Sequence, residues 1–299
     1  MPGLIQNIKG ADMHRMLGIT VAAFILLAAF FTKLPYAMRS VAYTVFREGQ
    51  KQKALWTTRH MATLQSEHFI VRYSKGSEAD AQLVLATAER FYQPIAEQYG
   101  YTGGSRVPVI VYPSRAELNR QFGWPSNESA MGVYWTGVIR VLSPHLWVSA
   151  ADPRAYRQEF IQSGPMAHEF AHLVVDYVTA GNYTRWFTEG IAQYEEYKLT
   201  GFEFQDEQAS LEQPFYPLSD MDRQFDTLPN QPLAYRQSYL AVRYVAEVYG
   251  EAALKNILHN LAQQHKIDRA FAVVLGVDMA TFEQDYQRWA RQQAKQGKL

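Results

Sequence analysis

Hydrophobic and polar positions divide the chain into an apolar start, a polar basic stretch and a long patterned body. From Met16 to Phe31 every residue but Thr20 is apolar, with Arg15 and Lys33 on either side. As a helix this run spans about 24 Å, and the long stems of Arg15 and Lys33 can make up the shortfall against a hydrocarbon core of about 30 Å. No small-x-small cleavage pattern follows, so an uncleaved membrane anchor is expected over residues 1–33. Residues 34–62 are polar and basic and read as a helical connector. The body, residues 63–299, opens with Phe69, Val71 and Tyr73 alternating with His68 and Arg72, the signature of a half-buried strand. Ser77-Glu78-Ala79-Asp80 resembles a capping box and opens a helix towards Tyr99, which Pro94 should end or kink. Val109–Tyr112 is a second strand, with Pro108 marking its start or a sheet edge. Ser114-Arg115-Ala116-Glu117 heads a short helix up to Gly123, and residues 132–142 read as a hairpin or long strand.

The second half is helical in period. Met166, Phe170, Ala171, Val174, Val175 and Val178 form one broad apolar face, after Gly164-Pro165 and before a left-handed cap at Gly181. A second helix follows over Trp186–Tyr197. Residues 201–232 carry prolines and acidic side chains with little periodicity and read as loops. Helices are expected again at Tyr235–Tyr249, Glu251–Gln263 and Thr281–Gln293.

Chemistry enters where the apolar face is interrupted. His168-Glu169-x-x-His172 sets two imidazoles about 40° apart and one turn above each other, within reach of a single metal ion. Glu169 points aside, where it can take a proton from a zinc-bound water. A site of this kind needs a third protein ligand. In the next helix Glu189, Gln193 and Glu196 share a face: Glu189 is assigned to the metal, with Gln193 and Glu196 as partners that would orient the ligand imidazoles. Gly190 costs about 1 kcal/mol relative to alanine inside a helix, and close approach to the helix of His168 would account for it.

Composition narrows the choices. Lysine plus arginine and aspartate plus glutamate number 29 each, so no electrostatic case exists for a nucleic-acid partner. There is no cysteine, which excludes disulfide scaffolds, thiol catalysis and cysteine-bound zinc.

His168-Glu169-x-x-His172, followed by Glu189 within Trp-x-x-Glu-Gly-x-Ala-x-Tyr-x-Glu, resembles the gluzincins, and more narrowly the bacterial peptidase MA-like group. The resemblance implies an α+β, two-lobed catalytic domain, a small sheet with helices and then a helical lobe. One Zn2+ per chain would lie in the cleft on His168, His172 and Glu189, with Glu169 as general base. It implies a peptide or protein substrate, an edge strand near residues 132–142 that binds extended peptide, and an oxyanion-stabilising tyrosine. Tyr235 is the candidate for that tyrosine and Tyr239 the reserve. The Gly-Ala-Met-Glu-Asn motif of the aminopeptidase branch is absent, since Ser129-Ala130-Met131-Gly132-Val133 matches it poorly. Endopeptidase action is therefore expected. Lys33, Arg39, Arg47 and Lys51 after the apolar run would by charge alone keep the body in the cytoplasm. The signal-like start and the resemblance favour an extracytoplasmic domain on a single-pass anchor. Two other readings keep the same fold: a zinc hydrolase of non-peptide amides or esters, and a tethered binding protein without turnover.

Overall fold

The computed structural model describes residues 36–126, 130–203 and 206–298. The apolar run of residues 16–31 lies outside them. Among the described residues no helix is long and apolar enough to cross a membrane. The chain divides into two compact units, Met1–Thr44 and Val45–Leu299. The second opens within helix α1 (Tyr36–Thr57), in the stretch that reads as a connector in the sequence.

The larger unit is α+β: a five-stranded mixed sheet followed by a mostly helical region. The strands are β1 (Ala62–Gln65), β2 (Phe69–Tyr73), β3 (Val107–Tyr112), β4 (Gly132–Trp135) and β5 (Val138–Leu142), arranged in the order β1-β2-β3-β5-β4. β3 pairs parallel with β2 and β5, while the outer strands are antiparallel. β2 shows the expected alternation, with Phe69, Val71 and Tyr73 buried. β3 and β5 are buried throughout because both faces of the sheet are covered. Val109, Val111, Ile139 and Val141 join the main core. Ile110, Tyr112, Val138 and Leu142 join a smaller cluster with Ala54 of α1 and Leu118 of α3 (Arg115–Arg120).

Three expectations are refined here. Pro108 is the second residue of β3 and so marks its start, as one of the two readings had it, but the strand is central and not an edge; the missing N–H is tolerated because pairing with β5 begins only at Val109. Helix α2 (Glu78–Tyr99) does not end at Pro94 but runs through it, with the proline exposed. Ser77 caps that helix without a side-chain hydrogen bond, whereas Ser114 Oγ does accept from the Glu117 N–H at 3.2 Å.

The helical region comprises α4 (Pro153–Ser163), α5 (Met166–Thr179), α6 (Arg185–Thr200), α7 (Leu218–Gln224), α8 (Gln231–Tyr244), α9 (Glu251–Ala262), α10 (Ile267–Leu275) and α11 (Met279–Lys295). α4, α7 and α10 were not foreseen, although Asp152-Pro153 is a cap followed by a first-turn proline. α5 is buried along most of its length: Phe170, Leu173 and Val174 face the sheet-side core, with Phe69 and Phe170 ring centroids 5.6 Å apart. Its left-handed terminus falls at Ala180, with Gly181 following at positive φ.

Candidate metal centre

α5 and α6 present the proposed ligands to one point. His168 Nε2 and His172 Nε2 are 3.1 Å apart, and Glu189 Oε2 lies 3.4 Å from the first and 3.5 Å from the second. A tetrahedral ion with bonds of about 2.0–2.1 Å separates its ligand atoms by about 3.3 Å, so this triangle fits one face of such a site. Glu189 Oε2 is buried and has no hydrogen-bond partner. A buried carboxylate oxygen without a partner is costly, and a cation between it and the two imidazoles removes the cost. Among the described residues this is the one cluster of three such side chains able to hold a metal.

Each ligand is held from behind. Thr188 Oγ1 lies 2.7 Å from His172 Nδ1; with Nε2 turned to the cation, Nδ1 carries the proton and donates to the hydroxyl. Glu196 Oε2 is 3.3 Å from His168 Nδ1. Arg185 Nη1 grips Glu189 Oε1 at 2.8 Å, which leaves Oε2 as the oxygen facing the histidines. Gln193 does not reach an imidazole, contrary to expectation. Its amide donates to the carbonyls of Tyr235 at 3.0 Å and Glu189 at 3.3 Å, tying α6 to α8. Gly190 also serves α8 rather than α5: a Cβ there would stand 2.3 Å from Ser238 O.

The charges are strongly coupled. Burial pushes the Glu189 carboxyl up, but the electrostatic pull of His172 and Arg185 and the imidazole contacts outweigh it and hold the group well below the usual carboxylate range. Burial disfavours charge on His168, yet Glu189 and Glu196 overcome this and raise its pKa well above that of an ordinary histidine. A cation on His168 would have to displace that proton. Burial raises the pKa of Glu169, opposed by both histidines. The Tyr134 N–H, on β4, donates to Glu169 Oε2.

Two adjoining cavities meet at His168, Glu169 and Tyr235. One, of about 380 Å³, is lined also by Tyr134, His172, Arg185 and Glu189. The other, of about 290 Å³, is mostly apolar, with Met131, Pro165 and Phe202 in its wall. Tyr235 lines both, and its hydroxyl is 3.5 Å from Arg185 Nη2. Tyr239 is buried beside Tyr197 and Arg243 and lines neither. Sequence reasoning missed Thr188, Arg185 and the Tyr134 N–H. Arg185, one turn before Glu189, had a spacing signal; the other two did not.

Among solved structures the chain is similar to a two-domain M1 zinc metallopeptidase mutant bound to L-arginine, at 16% identity over 76% of this chain and 50% of that one, TM-score 0.37. It is also similar to the M1 zinc metallopeptidase from Deinococcus radiodurans, at 16% identity, 76% and 50% coverage and TM-score 0.34. A mutant of that enzyme gives 14%, 75%, 50% and 0.35. The chain thus spans about half the length of these proteins. No curated protein sequence matches it. A family match covers the stretch that carries both histidines, Glu169, Glu189 and the groups behind them: residues 158–292 are similar to the Peptidase MA superfamily.

Proposed function

We propose that the protein is a zinc-dependent endopeptidase of gluzincin type, held at a membrane by residues 16–31 with its catalytic unit outside the cytoplasm. The observation that carries the enzymatic reading is Glu189 Oε2, which makes no hydrogen bond of its own, facing two imidazole nitrogens at tetrahedral spacing beside a carboxylate in a cleft. His168, His172 and Glu189 would hold one Zn2+, which supplies Lewis acidity and makes water acidic enough to be a nucleophile near neutral pH. Glu169 is the proton acceptor. Burial lifts its basicity towards the working pH, and the Tyr134 N–H fixes one of its oxygens. The same carboxyl then returns the proton to the leaving amine. Tyr235 is neutral near pH 7, as tyrosines ordinarily are, burial raises its pKa further, and its hydroxyl can donate to the developing oxyanion. β4 has no neighbour on its outer side among the described strands, so an extended peptide can add there, next to Glu169. The anchor and its orientation rest on the apolar run and the signal-like start.

The test uses the full chain in nanodiscs, assayed for bound zinc and for cleavage of a quenched-fluorescence peptide library. About one zinc per chain and peptide cleavage are expected, with Glu169→Gln keeping the zinc and losing cleavage. Absence of zinc uptake at neutral pH, or an active Glu169→Gln variant, refutes the assignment.

A further inference from the structure

α1 is packed against its own polarity. Arg47 and Lys51 are 4% and 3% exposed, while Val45 and Phe46 are 67% and 48% exposed. A buried guanidinium is costly unless tightly paired, and Arg47 is paired with α5, the helix of His168 and His172. Its Nη1 donates to Asp176 O at 3.2 Å and lies 3.4 Å from Asp176 Oδ2. Its guanidinium stacks over the Tyr177 ring at 3.6 Å. Asp176 is fully buried, one turn after His172. The same Oδ2 accepts the hydroxyl of Tyr134, and Tyr134 Oη accepts the Gly137 N–H at 2.9 Å. Tyr134 is thereby held at both ends: its phenol on Asp176 and its backbone N–H on Glu169 Oε2.

We propose that Arg47, Asp176 and the Tyr134 hydroxyl are positioning residues for Glu169, so that α1 from Val45 onwards belongs to the catalytic apparatus. The proposal rests on the reading of Glu169 as the proton acceptor. Arg47 neutralises Asp176, Asp176 fixes the phenol, and the phenol fixes the part of β4 whose N–H orients the base. Gly132, two residues before Tyr134, lets β4 lie flush on α5: a Cβ there would meet Pro165 Cβ at 2.6 Å and Glu169 Cγ at 3.0 Å.

Tyr134→Phe removes only the hydroxyl. In the full chain it should lower kcat by about 10- to 100-fold, the cost of misplacing a reacting group by up to about 1 Å. KM and the one-zinc stoichiometry should be nearly unchanged. Arg47→Met should do the same, Arg47→Lys should recover part of the loss, and the double variant Tyr134→Phe/Arg47→Met should be no worse than the worse single one. Zinc affinity by chelator competition should stay at the wild-type value in Tyr134→Phe and Arg47→Met, which separates orientation of the base from general loosening. Wild-type kcat in Tyr134→Phe, multiplying losses in the double variant, or zinc affinity lost in step with kcat would each overturn the proposal. A wild-type chain that loads zinc and cleaves no peptide would instead overturn the reading on which it rests.

Discussion

Gly190→Ala sets two known effects against each other. Alanine is favoured over glycine in a helix interior by about 1 kcal/mol, so propensity alone makes the variant more stable. The new methyl would, however, stand 2.3 Å from Ser238 O and 2.5 Å from Val242 Cγ2. A carbon and a carbonyl oxygen rest at about 3.3 Å or more, so α6 and α8 must part by about 1 Å. The obstacle is a backbone oxygen, which cannot rotate aside, and overpacking of this kind costs about 1–3 kcal/mol. A backbone obstacle places the cost at the upper end of that range, so with the propensity gain subtracted the variant should be less stable by about 2 kcal/mol. For a unit of this size that lowers Tm by about 4–8 °C. Because Glu189 adjoins Gly190, the displacement also deforms the ligand triangle. Thermal scans by circular dichroism with chelator and with zinc, plus zinc affinity by chelator competition, measure both effects. A Tm at or above wild type together with unchanged zinc affinity would refute the argument, since propensity would then have won at no cost to the site.

Thr188→Val keeps the shape of the side chain but deprives His172 Nδ1 of its acceptor at 2.7 Å; zinc should bind about 10- to 100-fold more weakly, and unchanged affinity by chelator competition would remove Thr188 from the site. Asp80 gives a pH signature away from the metal. Burial pushes its carboxyl up, but hydrogen bonds from Ser143, His145 and Tyr156 outweigh it and hold the pKa below the usual value. A depressed folded-state pKa means that this stabilisation is complete above the unfolded value of about 4 and is lost as pH falls through the folded one. The urea midpoint of wild type should exceed that of Asp80→Asn at pH 7, and the gap should close below about pH 4; a gap independent of pH would contradict this account.

The candidate metal triangle was legible because its spacing is local: an i, i+4 histidine pair on one helix, then a carboxylate on the adjoining helix. The groups that tune it were less so. Asp176 meets Arg47 across 129 positions, and Tyr134 meets Asp176 across 42, distances over which no periodicity carries information. Gln193 shares a helix face with Glu189 and Glu196, but a shared face does not say which neighbour claims an amide; the Tyr235 carbonyl does. β2 was readable because only one of its faces is fully buried, giving strict alternation. The central position of β3 was hidden by Pro108, a residue that ordinarily signals an edge. α1 misled for a different reason: its buried side carries cations and its exposed side carries apolar groups, the inverse of the pattern by which a docked helix is recognised.

That inversion governs where the chain can be cut. The polar composition of residues 34–62 invites removal together with the apolar run, to obtain a convenient soluble fragment. A fragment starting after Thr57 would strip Arg47 from Asp176, uncover the Tyr177 ring, and remove Ala54 from the cluster under β3 and β5. Such a fragment would carry every residue of the candidate metal centre, yet its failure to turn over peptides would not test the proposed activity. Fragments for crystallisation, inhibitor screening or antibody selection should therefore begin no later than Val45, and the exposed Phe46 and Trp56 are the apolar side chains to make polar if solubility demands it.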